Sequence, residues 1–119
     1  MAHGVDGQTH SGELDAATAR EVAQTMQALA TPSRVRILAR LRRSPAAVGE
    51  LTAAVEMERS AVSQQLRVLR HLGLVIDERR GRSIIYALHD SHVADLLDQV
   101  VFHIEHLRLG YPERISNAS

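Results

Sequence analysis

The sequence contains no cysteine, which excludes disulfides and thiolate metal sites alike. It contains no lysine: all 14 basic residues are arginine, a bias that genome base composition can produce and that carries no functional reading. No apolar run approaches the roughly 18 residues a membrane-spanning helix needs, and no signal-peptide pattern opens the chain. A soluble cytoplasmic protein without a membrane partner is therefore expected. The formal net charge is zero. A chain of 119 residues suits one domain with its own small core.

The zero net charge hides an asymmetry. Residues 34–82 carry 11 arginines against five acids, a net of +6, while residues 1–33 and 83–119 are each at −3. A basic block between acidic flanks is either a solvated arginine-rich face or a surface for a polyanion.

The polar, glycine-containing start MAHGVDGQTHSGE reads as a flexible arm over residues 1–12, leaving one domain over 13–110 and a C-terminal tail over 111–119. From Leu14 to Ala30, Val22, Met26 and Leu29 recur at helical spacing. A second helix starts at TPSRVRILARLRRSP, with Thr31 as N-cap and Pro32 at the first helical position, and Pro45 follows it. VGELTAAVE makes a short third helix, and MERSAVSQQLRVLRHLG a longer fourth one ended by Gly73. LVIDE and SIIYAL flank RRGR as a hairpin. A last helix runs from Asp90 to about Leu109, stopped by Gly110 and Pro112. The expected class is mainly α with a β-hairpin, in the order α-α-α-α-β-β-α.

On a wheel of about 100° per residue, Val62, Leu66 and Leu69 share one face of the fourth helix. Ser60, Ser63, Gln64, Arg67 and His71 lie opposite, the side-chain types that bond base edges and phosphates. Short helix, tight turn and amphipathic helix make a helix-turn-helix, with residues 60–71 as its recognition helix. Arg79, Arg80 and Arg82 crowd the hairpin turn, where mutual repulsion is tolerable only against solvent or phosphate. Recognition helix plus basic hairpin is a winged helix-turn-helix, with double-stranded DNA as its partner.

ATPSRVRILARL, ERSAVSQQLRVLRHLGLV and RRGRSIIYAL resemble, in order and over roughly residues 20–107, the ArsR/SmtB family of metal-responsive regulators. The resemblance implies a homodimer joined by the first and last helices on an inverted-repeat operator. Gln64 departs from the family, where many relatives carry His before the residue matching Gln65, which enters the DNA-facing set.

The last helix poses a separate problem. Val93, Leu96, Leu97, Val100, Ile104 and Leu107 form an apolar stripe, and His92, His103 and His106 lie along one edge of it. Asp90 stands at the N-cap. His92 and His103 are 11 residues apart, about 16.5 Å along a helix, whereas ligands of one ion lie within about 2.0–2.2 Å of it. One helix cannot close such a site. Two antiparallel copies can, with Asp90 and His92 of one beside His103 and His106 of the other. The same set is what the resemblance implies, since D-x-H, ten residues, H-x-x-H matches the family's last-helix metal site.

Imidazole and carboxylate without sulfur suit Ni, Co or Zn, and four ligands satisfy tetrahedral Zn. The MAHG start resembles the nickel/cobalt-sensing branch, which implies that Ala2, after loss of Met1, and His3 complete the shell. No histidine follows His106, where some nickel sensors have more. The expectation is Ni or Co, with Zn as the alternative; His10 and His89 are spare candidates, read as surface residues. The family further implies that His103 reaches toward Gly73, at the end of the recognition helix. The expected function is a repressor released from its operator by Ni or Co. The alternatives are a zinc-responsive repressor, or a winged-helix regulator, an activator included, controlled by a partner protein. An enzyme is not expected, because no Glu or Ser stands as base or nucleophile beside the four ligands.

Overall fold

A computed structural model describes residues 13–110. The expected arm and tail, with Ala2, His3 and His10, lie outside the described residues. Helix α1 spans Ala16–Ala28, α2 Pro32–Arg43, β1 Ala46–Ala47, α3 Val48–Val55, α4 Arg59–His71, β2 Val75–Arg80, β3 Ser83–Leu88 and α5 Ser91–Leu109. The order matches the sequence expectation except for β1. Two alanines carry no strand signal. They pair all the same, Ala46 opposite Tyr86 and Ala47 opposite Ile85, making a three-stranded antiparallel sheet in the order β1-β3-β2.

Most helix ends follow local chemistry. The Asp15 carboxylate accepts from the Thr18 N–H at 2.7 Å, so α1 starts after Asp15 rather than at Leu14. Thr31 occupies the N-cap position of α2 with Pro32 behind it, but its hydroxyl makes no cap bond and is buried without a hydrogen-bond partner. The cap there is one of position, with proline supplying the helical φ. At the end of α4, Gly73 (φ +76°) donates to the Arg70 carbonyl at 3.0 Å and Leu74 N–H to that of Leu69 at 2.9 Å. This is a Schellman closure, and its two hydrophobic members, Leu69 and Leu74, are both buried.

Ile37, Leu38, Leu41, Leu51, Val55, Val62, Leu66 and Leu69 fill the core between α2, α3 and α4, and Val75 joins them from β2. No charged or polar residue is buried among those described. The stripe of α5 is divided: Val93 and Leu97 are buried in this same core, whereas every residue from 99 to 110 is exposed. One subunit thus covers the start of the stripe and leaves Val100, Ile104 and Leu107 exposed. Val93 and Leu97 lie within reach of β3 and α2, and the helix, about 28 Å long, then runs past the end of the body. Val100, Ile104 and Leu107 on that overhang, and Val22 and Met26 on α1, stand in solvent. No described helix is long and apolar enough to cross a membrane.

Candidate nucleic-acid interface and metal half-sites

A turn of three residues, 56–58, joins α3 to α4, and Glu56 enters it with φ +56°. That left-handed step turns α4 so that Val62, Leu66 and Leu69 are fully buried. Ser60, Gln64, Arg67 and His71 consequently face solvent, and Ser63 is half-buried beside them. Gln65 lies elsewhere. It is half-buried, and its Oε1 accepts from Arg34 Nε at 2.6 Å, so the amide carbonyl is engaged within the subunit.

The wing closes through a two-residue turn, Gly81 and Arg82, between the facing pair Arg80 and Ser83. Gly81 takes φ +63°, the geometry that two-residue hairpin turns demand and that glycine adopts without strain. Arg79 and Arg80 are successive strand residues and so point to opposite faces, with Arg82 at the tip; all three are exposed. The acids divide the arginines into two kinds. Arg70 Nη1 lies 2.8 Å from Asp77, tying the recognition helix to the wing, and Arg36 and Arg80 have Glu56 and Glu78 at 3.7 and 3.4 Å. Among the described residues, Arg67, Arg79 and Arg82 have no carboxylate partner. Arg40 and Arg43 on α2 and Arg108 on α5 likewise lack one among the described residues, so the free cations on α4 and the wing are part of a wider set.

At the start of α5 the Asp90 carboxylate is held on both oxygens. Oδ1 accepts the His92 N–H at 2.9 Å as the helix cap, and Oδ2 lies 2.9 Å from His89 Nδ1. His92 Nδ1 is 3.3 Å from Oδ1. The His89 hydrogen bond, then the backbone bond and the charges of the two imidazoles, hold the Asp90 carboxyl below the usual carboxylate range. His103 and His106 are exposed on the overhang. Among the described residues no three His, Asp or Glu side chains converge on one point. One chain therefore presents two separate pairs of candidate donors along a single helix, Asp90 with His92 and His103 with His106. The donors suit a divalent ion: nitrogen and oxygen without sulfur, with the His92 side chain 89% exposed.

Sequence reasoning missed two contacts here. His89 was expected to be a spare surface histidine, although its place directly before Asp90 was visible. Arg42 holds Asp98 by two bonds, Nε to Oδ1 at 2.6 Å and Nη2 to Oδ2 at 2.7 Å, and so locks α5 to the last turn of α2. The pair is 56 residues apart, beyond the reach of any local pattern.

Residues 31–77 match the bacterial regulatory proteins of the arsR family. The chain is 56% identical over 119 residues to the HTH-type transcriptional regulator NmtR of Mycobacterium tuberculosis (strain H37Rv), covering 99% of each protein. The solution structure of apo-NmtR superposes with a TM-score of 0.70 at 55% identity, over 99% of this chain and all of that one. A homodimeric winged helix-turn-helix DNA-binding domain from Mycobacterium bovis superposes with a TM-score of 0.74 at 31% identity, over 88% of this chain and all of that one. The chain belongs to the arsR family of bacterial regulatory proteins.

Proposed function

We propose that the protein is a cytoplasmic transcriptional repressor that binds operator DNA as a homodimer and releases it when Ni(II) or Co(II) is bound between the two α5 helices. The observation that carries this reading is the pair of half-sets on α5, with Val100, Ile104 and Leu107 exposed on the same helix. A second, antiparallel α5 would cover those side chains. The same act would bring its His103 and His106 beside Asp90 and His92, and a twofold axis makes two such sites.

Each subunit would then offer DNA one recognition helix and one wing. Ser60, Ser63, Gln64, Arg67 and His71 would meet the groove and Arg79, Arg80 and Arg82 the phosphates; Gln65 supports them from behind through Arg34. Bound ion supplies bonds between subunits. Asp90, His92, His103 and His106 can converge only in one relative setting of the two α5 helices, and an inverted-repeat operator fits only one setting of the recognition helices. Where the two settings differ, metal and DNA oppose each other by about 1–3 kcal/mol, the usual size of such coupling. Ala2 and His3 would complete a five- or six-ligand shell for Ni or Co. The four described donors alone favour a second reading, a tetrahedral Zn site, in the same regulator.

The test is operator binding by fluorescence anisotropy with Ni, Co and Zn titrated into the complex. Release by Ni or Co at two ions per dimer is expected, with affinity for the ion falling as pH drops through the histidine range, because a protonated imidazole has no lone pair to donate. Val100→Glu with Leu107→Glu should give monomers that bind neither ion nor operator. If all three ions leave operator affinity unchanged, control belongs to a partner protein instead.

A further inference from the structure

His89 has no part in the ligand set above, yet it is the side chain that fixes Asp90. Its Nδ1 lies 2.9 Å from Asp90 Oδ2, while the cap bond from the His92 N–H holds Oδ1. The carboxylate is thus oriented from both oxygens, by the His92 N–H on Oδ1 and the His89 ring on Oδ2. The main chain of His89 is anchored as well. Its N–H donates to the Leu74 carbonyl at 3.0 Å, and the Leu74 N–H donates to the Leu69 carbonyl at 2.9 Å, inside the closure of α4. Two hydrogen bonds therefore connect the residue that orients Asp90 to the end of the recognition helix, within one subunit.

We propose that His89 is a positioning residue of the α5 metal half-site: its ring orients the Asp90 carboxylate, and its main chain ties that carboxylate to the end of α4. The proposal rests on the metal reading of Asp90 and His92. His89 is not itself assigned as a ligand, because its Nδ1 is already engaged by Asp90 Oδ2. Hydrogen-bond partners behind a ligand fix its direction, and their loss costs about 10–100-fold in metal affinity. The His89 ring is half-exposed and its anchoring bond is a main-chain one, so substitution leaves the fold and the link to Leu74 in place.

The experiment titrates Co(II) into the full-length dimer and reads both the dissociation constant and the visible ligand-field spectrum. Four proteins are compared: wild type, His89→Ala, His89→Asn and Asp90→Ala. The Nδ2–H of asparagine sits where histidine carries Nδ1, so His89→Asn keeps the donor and removes the rest of the ring. His89→Ala should weaken Co(II) by about 10–100-fold with the band positions of the wild type. His89→Asn should bind close to wild type, and Asp90→Ala should lose the site. If Asp90→Ala loses the site and His89→Ala binds as wild type, the positioning role is overturned while the metal reading stands. If Asp90→Ala also binds as wild type, both fall. If His89→Asn is as weak as His89→Ala and the bands shift, the ring is a ligand, which again overturns the proposal.

Discussion

Arg34 reaches across from the first turn of α2 to Gln65 on α4, Nε to Oε1 at 2.6 Å, while its Nη1 approaches the Ala28 carbonyl at 3.4 Å. One guanidinium thus gathers the end of α1, the start of α2 and the middle of the recognition helix. Two adjacent glutamines on α4 have different tasks as a result. Gln64 faces solvent, and Gln65 is a buttress.

Replacing them separates the two. Gln65→Ala should lower stability by about 1.5–3 kcal/mol, the scale of a hydrogen bond to a charged group, and weaken all operators alike. Gln64→Ala should leave the urea midpoint unchanged and lose about 1–3 kcal/mol of discrimination at one base pair, since an amide reads adenine through two bonds. Denaturation, and binding to operators substituted base by base, measure both. A selective loss of base preference from Gln65→Ala would reverse the assignment.

Arg82 and Arg70 form a matched comparison on the wing side. Arg70 is held by Asp77, whereas Arg82 has no carboxylate partner among the described residues. Each phosphate contact contributes about 0.9 to the slope of log affinity against log salt. Arg82→Ala should flatten that slope, and Arg70→Ala should change it much less while loosening the wing against α4. Equal slopes for Arg82→Ala and wild type would remove the wing tip from the interface.

The Arg42–Asp98 clamp predicts how acid acts on the subunit. The hydrogen bond from Arg42, and then its charge, hold the Asp98 carboxyl below its ordinary value. Such a group stabilises the fold above its unfolded pKa, about 3.9, and that contribution disappears as pH falls through the lower folded value. Asp98→Asn should therefore be less stable than wild type at neutral pH, and the gap should begin to close near about pH 4 and vanish below the folded value. Urea midpoints across this range are the measurement. A gap that persists at the acid end would mean the asparagine disturbs packing rather than charge.

Glu56 is the sole described residue other than glycine at positive φ. A left-handed residue with a Cβ costs about 1–2 kcal/mol. Its partner Arg36 lies at 3.7 Å with the Glu56 side chain 80% exposed, a pair worth about 0–1 kcal/mol. Glu56→Gly should raise stability by about 0.5–1 kcal/mol, after the entropy that glycine adds to the unfolded chain. Glu56→Ala keeps the strain and should not raise it. Thermal unfolding of the two variants decides between strain and ion pairing at the turn.

The element order was legible because most boundaries are local chemistry. Asp90, Gly73 and Gly110 act on their own backbone neighbours, and Pro32 acts through its fixed φ. The period of α4 likewise separated Leu66 and Leu69 from Gln64 and Arg67. What escaped depends on partners distant in sequence. Ala46 and Ala47 are a strand only because Tyr86 and Ile85 lie alongside, and Gln65 turns inward only because Arg34 is there. The stripe on α5 was plain, but periodicity states that a face is apolar without saying which body covers it. Val93 and Leu97 belong to their own subunit for that reason. The two donor pairs on α5 could be picked out because the helix imposes their separation, whereas the bond from His89 needs coordinates.

The order β1-β3-β2 leaves the outer edge of β2 unpaired along its full length. An open strand of that kind is a template on which another chain can stack. Here four consecutive charged residues, Asp77 to Arg80, occupy it, so a second copy laid against that edge would have to desolvate them. Charge of both signs on this edge disfavours pairing through the sheet. A variant that neutralises the wing arginines to silence DNA binding would also strip this guard and should be watched for fibrils.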